Sequence, residues 1–288
     1  MTVLVSIPTK NQAQEELRAW SEVPDDLIDI GAAALAFGAL RHPRRETVSY
    51  REHLDRIAAE VAQMAQTVRP VRVEQVAGLL REVIAMRHGY EGDEETYDSP
   101  DNANLMKVID RRKGLPVALG IIYLAAARAN GWGAVGLNFP EHFLIRLEFN
   151  GRRLIIDPFA RGEVVAVPRL RELIKTRLGP EAELVPEFYM PLSNKDVLLR
   201  LQNNLKLRYL RAGMDEAASE ILESMLLLTP DRANLWREFG NTLARLGQEH
   251  RAIVALENYL TLTGEDTTRS HTASLVEQLK ALTAITGA

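Results

Sequence analysis

One histidine and one aspartate lie at opposite ends of the stretch NFPEHFLIRLEFNGRRLIIDPF, residues 138–159. Between them Asn150-Gly151, the strongest short signal for a two-residue hairpin turn, separates two runs of alternating apolar and polar residues. Such a turn pairs Phe149 with Arg152 and, counting outward, sets Leu144 opposite Asp157 and His142 opposite Phe159. His142 and Asp157 then fall diagonally on one face of the hairpin, within reach of each other. A carboxylate beside an imidazole fixes its tautomer and favours its protonated form, which is the orienting half of a nucleophile, base and orienter triad. The plainer alternative is a structural pair in which two polar groups satisfy each other under a loop, and spacing alone leaves both open.

The third member of a triad is harder to find. The 288 residues contain no cysteine, which removes disulfides, thiolate metal sites and cysteine nucleophiles together. Arg111, Arg112 and Lys113 precede a long apolar segment, where Arg111 and Arg112 would contact an anion at the mouth of the following helix. The preferred reading is that they end the preceding helix, where cations are favoured, and that one pairs with an acid near the hairpin. His42, His53 and His88 are expected as solvated residues on polar helix ends or faces. The acidic stretch YEGDEETYDSPDNANL lacks the ordered oxygen-ligand spacing of a calcium loop and reads as a solvated loop, so neither a metal nor a cofactor is expected.

The elements that would position the pair can be read from periodicity. Residues 12–86 are helical in pattern, with apolar positions at helix spacing in 26–40, 50–64 and 73–84 and turns at Pro43 and Pro70. Ser99, Pro100 and Asp101 suit the start of a helix running to about Arg112. LPVALGIIYLAAARANG is apolar almost all round and reads as a buried helix, with Pro116 at its start and Gly131 at its end. Strands are expected in WGAVGLNF, HFLIRLEF and RRLIID, so one central helix packs on a small antiparallel sheet. The expected inward stripe of the hairpin is Phe143, Ile145, Leu147, Phe149, Leu154 and Ile156.

The tail repeats. Gly213 and Gly247, Ala218 and Ala252, Leu222 and Leu256, and Leu228 and Leu262 are each one tetratricopeptide period of 34 residues apart. Trp236, Phe239, Gly240 and Leu243 follow the pattern of a first repeat helix, whereas Lys206 replaces the equivalent glycine in the earlier unit. From Thr267 only a single capping helix remains. The expected division is therefore a helical part over 1–90, the helix-and-sheet part over 91–190 and a repeat tail over 191–288, an α+β chain with an α-helical tail. At 46% hydrophobic it can bury proper cores, and with 35 basic against 39 acidic residues, intermixed, it offers no broad face for nucleic acid. A membrane span is not expected, because the longest apolar run stops at Arg128, and the reading is cytoplasmic.

Three motifs in order, R-x-G-x-P at Arg112 to Pro116, F-P-x-H-F at Phe139 to Phe143 and D-P-F-x-x-G at Asp157 to Gly162, resemble the transglutaminase-like domain of bacterial SirB-type proteins. The resemblance covers nearly the whole chain, repeat tail included. It implies a papain-type fold in which His142 takes the place of the base and Asp157 that of its orienter. It also implies a cysteine at the start of the central helix, at or beside Pro116. Proline offers no reactive side chain, and residues 114–131 contain no serine or threonine, Tyr123 being the one hydroxyl.

Two functions follow. The first is a non-catalytic adaptor holding a protein or peptide partner through its repeats, with groove candidates Asn204, Arg208, Arg237 and Asn241. The second is a cysteine-independent hydrolase in which His142, oriented by Asp157, activates water. Oligomeric state is left open by the sequence.

Overall fold

The computed structural model describes residues 10–42, 45–265 and 267–286, so the turn expected at Pro43 lies outside the described residues. Two compact units emerge: one holds most of the chain up to Leu201, the other Leu17–Glu22 together with the chain from Gln202 onward.

In the first unit, helices α1 (Lys10–Glu22, which runs on into the other unit), α2 (Ile30–Arg41), α3 (Val48–Val68) and α4 (Val73–Arg81) precede the short strand β1 (Glu91–Gly92). Helix α5 (Leu105–Arg111), strand β2 (Lys113–Gly114) and helix α6 (Pro116–Ala129) follow. Then come β3 (Gly133–Gly136), β4 (Ile145–Phe149), β5 (Arg152–Asp157), β6 (Glu163–Val164), helix α7 (Val167–Leu178) and the start of α8 (Asn194–Arg211). Central α6 packs against α2, α3, α4, α5 and β3, which explains why it is apolar on nearly every side. Pro116 at its first position gives up an N–H that no helix would have used.

The β4–β5 hairpin forms in the expected register, Phe149 against Arg152 through Ile145 against Ile156. Of its expected inward stripe Phe143, Ile145, Leu147 and Ile156 are buried core, while Phe149 and Leu154, beside the turn, are half-buried. The sheet has four antiparallel strands in the order β3-β4-β5-β6. Part of its opposite face is covered as well: Leu137, Leu144 and Ile155 pack with Leu170 and Ile174 of α7.

The single helix expected from Ser99 to Arg112 is instead two. Ser99 starts a 3-10 turn over Pro100–Ala103, and Asn104 then caps α5, its Oδ1 accepting from the N–H groups of Met106 and Lys107. Asn104 also donates to the carbonyl of Gly38, and this side-chain competition for backbone partners breaks the helix.

His53 departs from its expected solvated state. It is buried, with Nε2 2.9 Å from the Tyr90 hydroxyl, edge-on to His88 at 5.4 Å and in contact with the Arg112 guanidinium. His88 in turn reaches Glu60 at 3.1 Å. Burial, reinforced by the Arg112 charge, lowers the His53 pKa to about 4. A histidine depressed in the folded state takes up its proton first in the unfolded chain, so its neutral form favours folding fully above about pH 6.5 and progressively less toward pH 4. Chemical denaturation across that window should therefore show stability rising with pH, and His53→Gln should flatten the rise.

The second unit holds the rest of α8, then α9 (Asp215–Leu228), α10 (Ala233–Arg245), α11 (Glu249–Leu262) and α12 (Thr267–Thr286). The repeat is visible in the backbone itself: Gly213 and Gly247 both adopt left-handed φ, +68° and +66°, at the turns after α8 and α10. Ala218, Ala252, Leu222 and Leu256 are fully buried, and a Cβ on Gly240 would lie 2.6 Å from the Leu256 side chain, so α10 and α11 cross closely there. The repeat weakens at its last pair, since Leu228 is buried but Leu262 is exposed. Lys206, in the place of the missing glycine, is buried and pairs with Glu238. Helix α12 is the expected single closing helix.

Candidate functional site

His142 does not lie in a strand. Pairing into β4 begins only at Ile145, because Pro140 lacks an N–H and Glu141 turns the chain with φ +52°. The Leu137 N–H donates to the Leu144 carbonyl at 2.9 Å, so residues 138–143 form a loop at the head of the hairpin. Asp157, the last residue of β5, faces that loop. Its Oδ1 accepts from the N–H groups of Phe159 at 2.9 Å and Ala160 at 3.3 Å, leaving Oδ2 for His142 Nε2 at 2.8 Å. The structure thus brings the two residues together, by a loop rather than by strand register. Phe159 stands edge-on to the imidazole, ring centroids 6.3 Å apart.

An ionised carboxylate only accepts, so His142 carries its proton on Nε2 toward Asp157. The other nitrogen, Nδ1, is buried and has no hydrogen-bond partner. A base oriented by a carboxylate with its second nitrogen free is the arrangement that general-base chemistry uses.

At the position where the resemblance puts a nucleophile, Pro116 is buried and carries no reactive atom. Tyr123, the one hydroxyl of α6, is buried against the Asp157 turn: a Cβ on Gly162 would lie 2.7 Å from its oxygen. Burial, ahead of a smaller opposing pull from Arg81 and a push from the Asp157 charge, holds that phenol far above its ordinary range and unfit as a nucleophile.

The two arginines before α6 serve separate internal partners instead of a shared anion site. Arg111 donates to Asp93 at 2.6 Å, to Asn102 at 2.9 Å and to Thr96 at 3.2 Å. Arg112, itself left-handed, lies over the Tyr90 ring, 4.8 Å from its centroid, and bonds the Tyr90 hydroxyl. This is the acid-pairing alternative, and it makes Asp93 a buried anchor of a loop that had looked merely solvated. No sequence signal distinguished Asp93 from its acidic neighbours.

Of the groove candidates, Asn204 and Arg208 lie one turn apart on α8, where Arg208 donates to the Asn204 carbonyl at 2.9 Å. Arg237 and Asn241 lie one turn apart on α10, with Arg237 over the Tyr259 ring at 5.7 Å. All four are half-buried. Among the described residues no cluster of three or more histidines and acids is arranged to hold a metal ion, and no helix is long and apolar enough to cross a membrane.

Comparison with known proteins matches a transglutaminase-like superfamily family model to residues 48–203 and a tetratricopeptide repeat model to residues 205–279. A UPF0162 protein of Xylella fastidiosa is 27% identical over 247 residues, 83% of this chain and 86% of that protein. A UPF0162 protein of Pseudomonas aeruginosa is 30% identical over 188 residues, 63% of this chain and 68% of that protein. Protein SirB1 of Salmonella typhimurium is 29% identical over 179 residues, 62% of this chain and 66% of that protein.

Proposed function

Because the chain belongs to the transglutaminase-like superfamily, we propose that it is a member without acyl-transfer chemistry that serves as a protein-binding adaptor. Tetratricopeptide repeats in general mediate protein–protein contacts, and this chain carries a matching repeat segment. The observation that carries the non-catalytic reading is Pro116: it occupies the head of α6 in a chain with no cysteine, so the place of the nucleophile offers no atom for an acyl-enzyme. In this reading residues 1–90 and 91–190 act as scaffold, and 191–288 as the docking tail presenting Asn204, Arg208, Arg237 and Asn241 to a peptide.

One observation favours a second reading. The Nδ1 of His142 has no hydrogen-bond partner and would take the proton of a water in amide or ester hydrolysis once water reached it, the atom being buried here; a general base alone supplies only about 10²- to 10⁴-fold.

Both readings meet in one pair of measurements. Pure protein incubated with a glutamine peptide and an amine donor should release no ammonia and form no cross-link, and the same holds for His142→Ala. Turnover that vanishes in His142→Ala would overturn the adaptor reading. For binding, a partner captured by the wild-type chain should be lost from an Arg208→Ala/Arg237→Ala variant that still folds; capture unaffected by that variant would remove the groove.

A further inference from the structure

The loop carrying His142 holds a non-glycine residue, Glu141, in the left-handed region, a conformation that persists only when its surroundings enforce it. A single guanidinium bridges this turn. Arg200, on α8, donates from one nitrogen to two carbonyls, Phe139 at 2.7 Å and His142 at 2.6 Å, the two ends of the turn. Its charge lies 5.8 Å from the centroid of the Phe143 ring, the residue after His142. That ring is seated where α6 and β3 leave room: a Cβ on Gly120 would lie 2.3 Å from it and one on Gly136 2.6 Å. Backbone and ring on both sides of the imidazole are therefore fixed.

We infer that Arg200 is a positioning residue for the His142–Asp157 pair. It clamps the 139–142 turn so that the imidazole presents Nε2 to Asp157 and leaves Nδ1 free. A planar guanidinium suits the task because it keeps its charge when buried and offers several N–H donors in a rigid fork. Burial, opposed by the nearby Glu141 charge and by Tyr97, draws it below its ordinary range without removing that charge. Arg200 holds this geometry whether the pair binds, catalyses or does neither.

The test is a ring-nitrogen NMR spectrum of the ¹⁵N-labelled full chain, with the His142 signals identified by their loss in His142→Gln. Wild-type His142 should show the Nε2–H tautomer with a slowly exchanging proton. In Arg200→Met the exchange should quicken by about tenfold, the consequence of losing roughly one charge-assisted hydrogen bond's worth of order. Arg200→Lys, which keeps a shorter donor, should fall between the two. Arg128→Met is the control: Arg128 is a second guanidinium of the same unit, bonded to the Ala134 carbonyl and Asn194, and its loss should lower stability while leaving the His142 signals alone. A folded Arg200→Met with the wild-type His142 spectrum, or an equal change in Arg128→Met, overturns the assignment. Should Arg200→Met not fold, Arg200→Lys decides: intermediate exchange supports the clamp and wild-type exchange overturns it.

Discussion

Arg111→Met is expected to lower the stability of the fold by about 3 kcal/mol, because it strands a buried carboxylate. Asp93 is only 1% exposed, and Arg111 is its cationic partner, at 2.6 Å. Burial by itself would push the Asp93 carboxyl up; the Thr96 hydroxyl and N–H, then Arg111 and Asn102, outweigh it and hold the group well below the usual carboxylate range. A carboxylate depressed in the folded state contributes its full stability above the unfolded value of about 4 and loses it as the solution is acidified toward the folded value. Urea midpoints at pH 7 for wild type, Arg111→Met, Asp93→Asn and the double variant check this. The double variant should recover much of what Arg111→Met loses, since no unpaired charge remains, and Asp93→Asn should remove part of the acid-side decline. Equal losses in Arg111→Met and in the double variant would mean that packing of the arginine stem, and not its charge, is what the fold needs.

The second large effect is expected at Asp157. Asp157→Ala removes the acceptor of three N–H groups at once, those of Phe159, Ala160 and His142 Nε2. Leaving such donors without partners should cost about 3 kcal/mol in total. Asp157→Asn separates the two jobs of the side chain. Its amide oxygen can keep the Phe159 and Ala160 bonds, so the stability loss should fall to about 1 kcal/mol. Its amide nitrogen then faces Nε2, and the imidazole proton moves to Nδ1, the wrong tautomer for an oriented base. Denaturation midpoints read the first effect and ring-nitrogen shifts the second. Identical stability for the two variants would contradict the hydrogen-bond roles assigned to Oδ1 and Oδ2.

The hairpin was legible because its information is local: Asn-Gly sets the turn, the turn sets the register, and alternation sets the buried face. Strand register predicts the meeting of His142 with Asp157 for a reason only partly right. Strand pairing does not extend to residue 142, and the contact is made by a loop whose shape depends on Arg200, which lies 58 residues away and looks in sequence like any arginine on an amphipathic helix. The expectation of a solvated His53 fails for the same kind of reason. Periodicity alone did not reveal that Tyr90 and Arg112 come to lie beside it. The split at Asn104 is not legible in the sequence because a helix-capping asparagine and a helix-surface asparagine are written identically. The repeat tail was the easiest part, since a fixed period repeats the same packing problem and leaves the same glycine at each turn.

Pro116 carries a consequence beyond its missing side-chain nucleophile. The first residues of a helix have main-chain N–H groups that no carbonyl within the helix claims, and these are natural donors to an oxygen gaining negative charge. A cysteine there would bring both a sulfur and such a donor, while proline brings neither. At this position proline thus supplies neither part of an acyl-transfer apparatus, while it strengthens the start of α6.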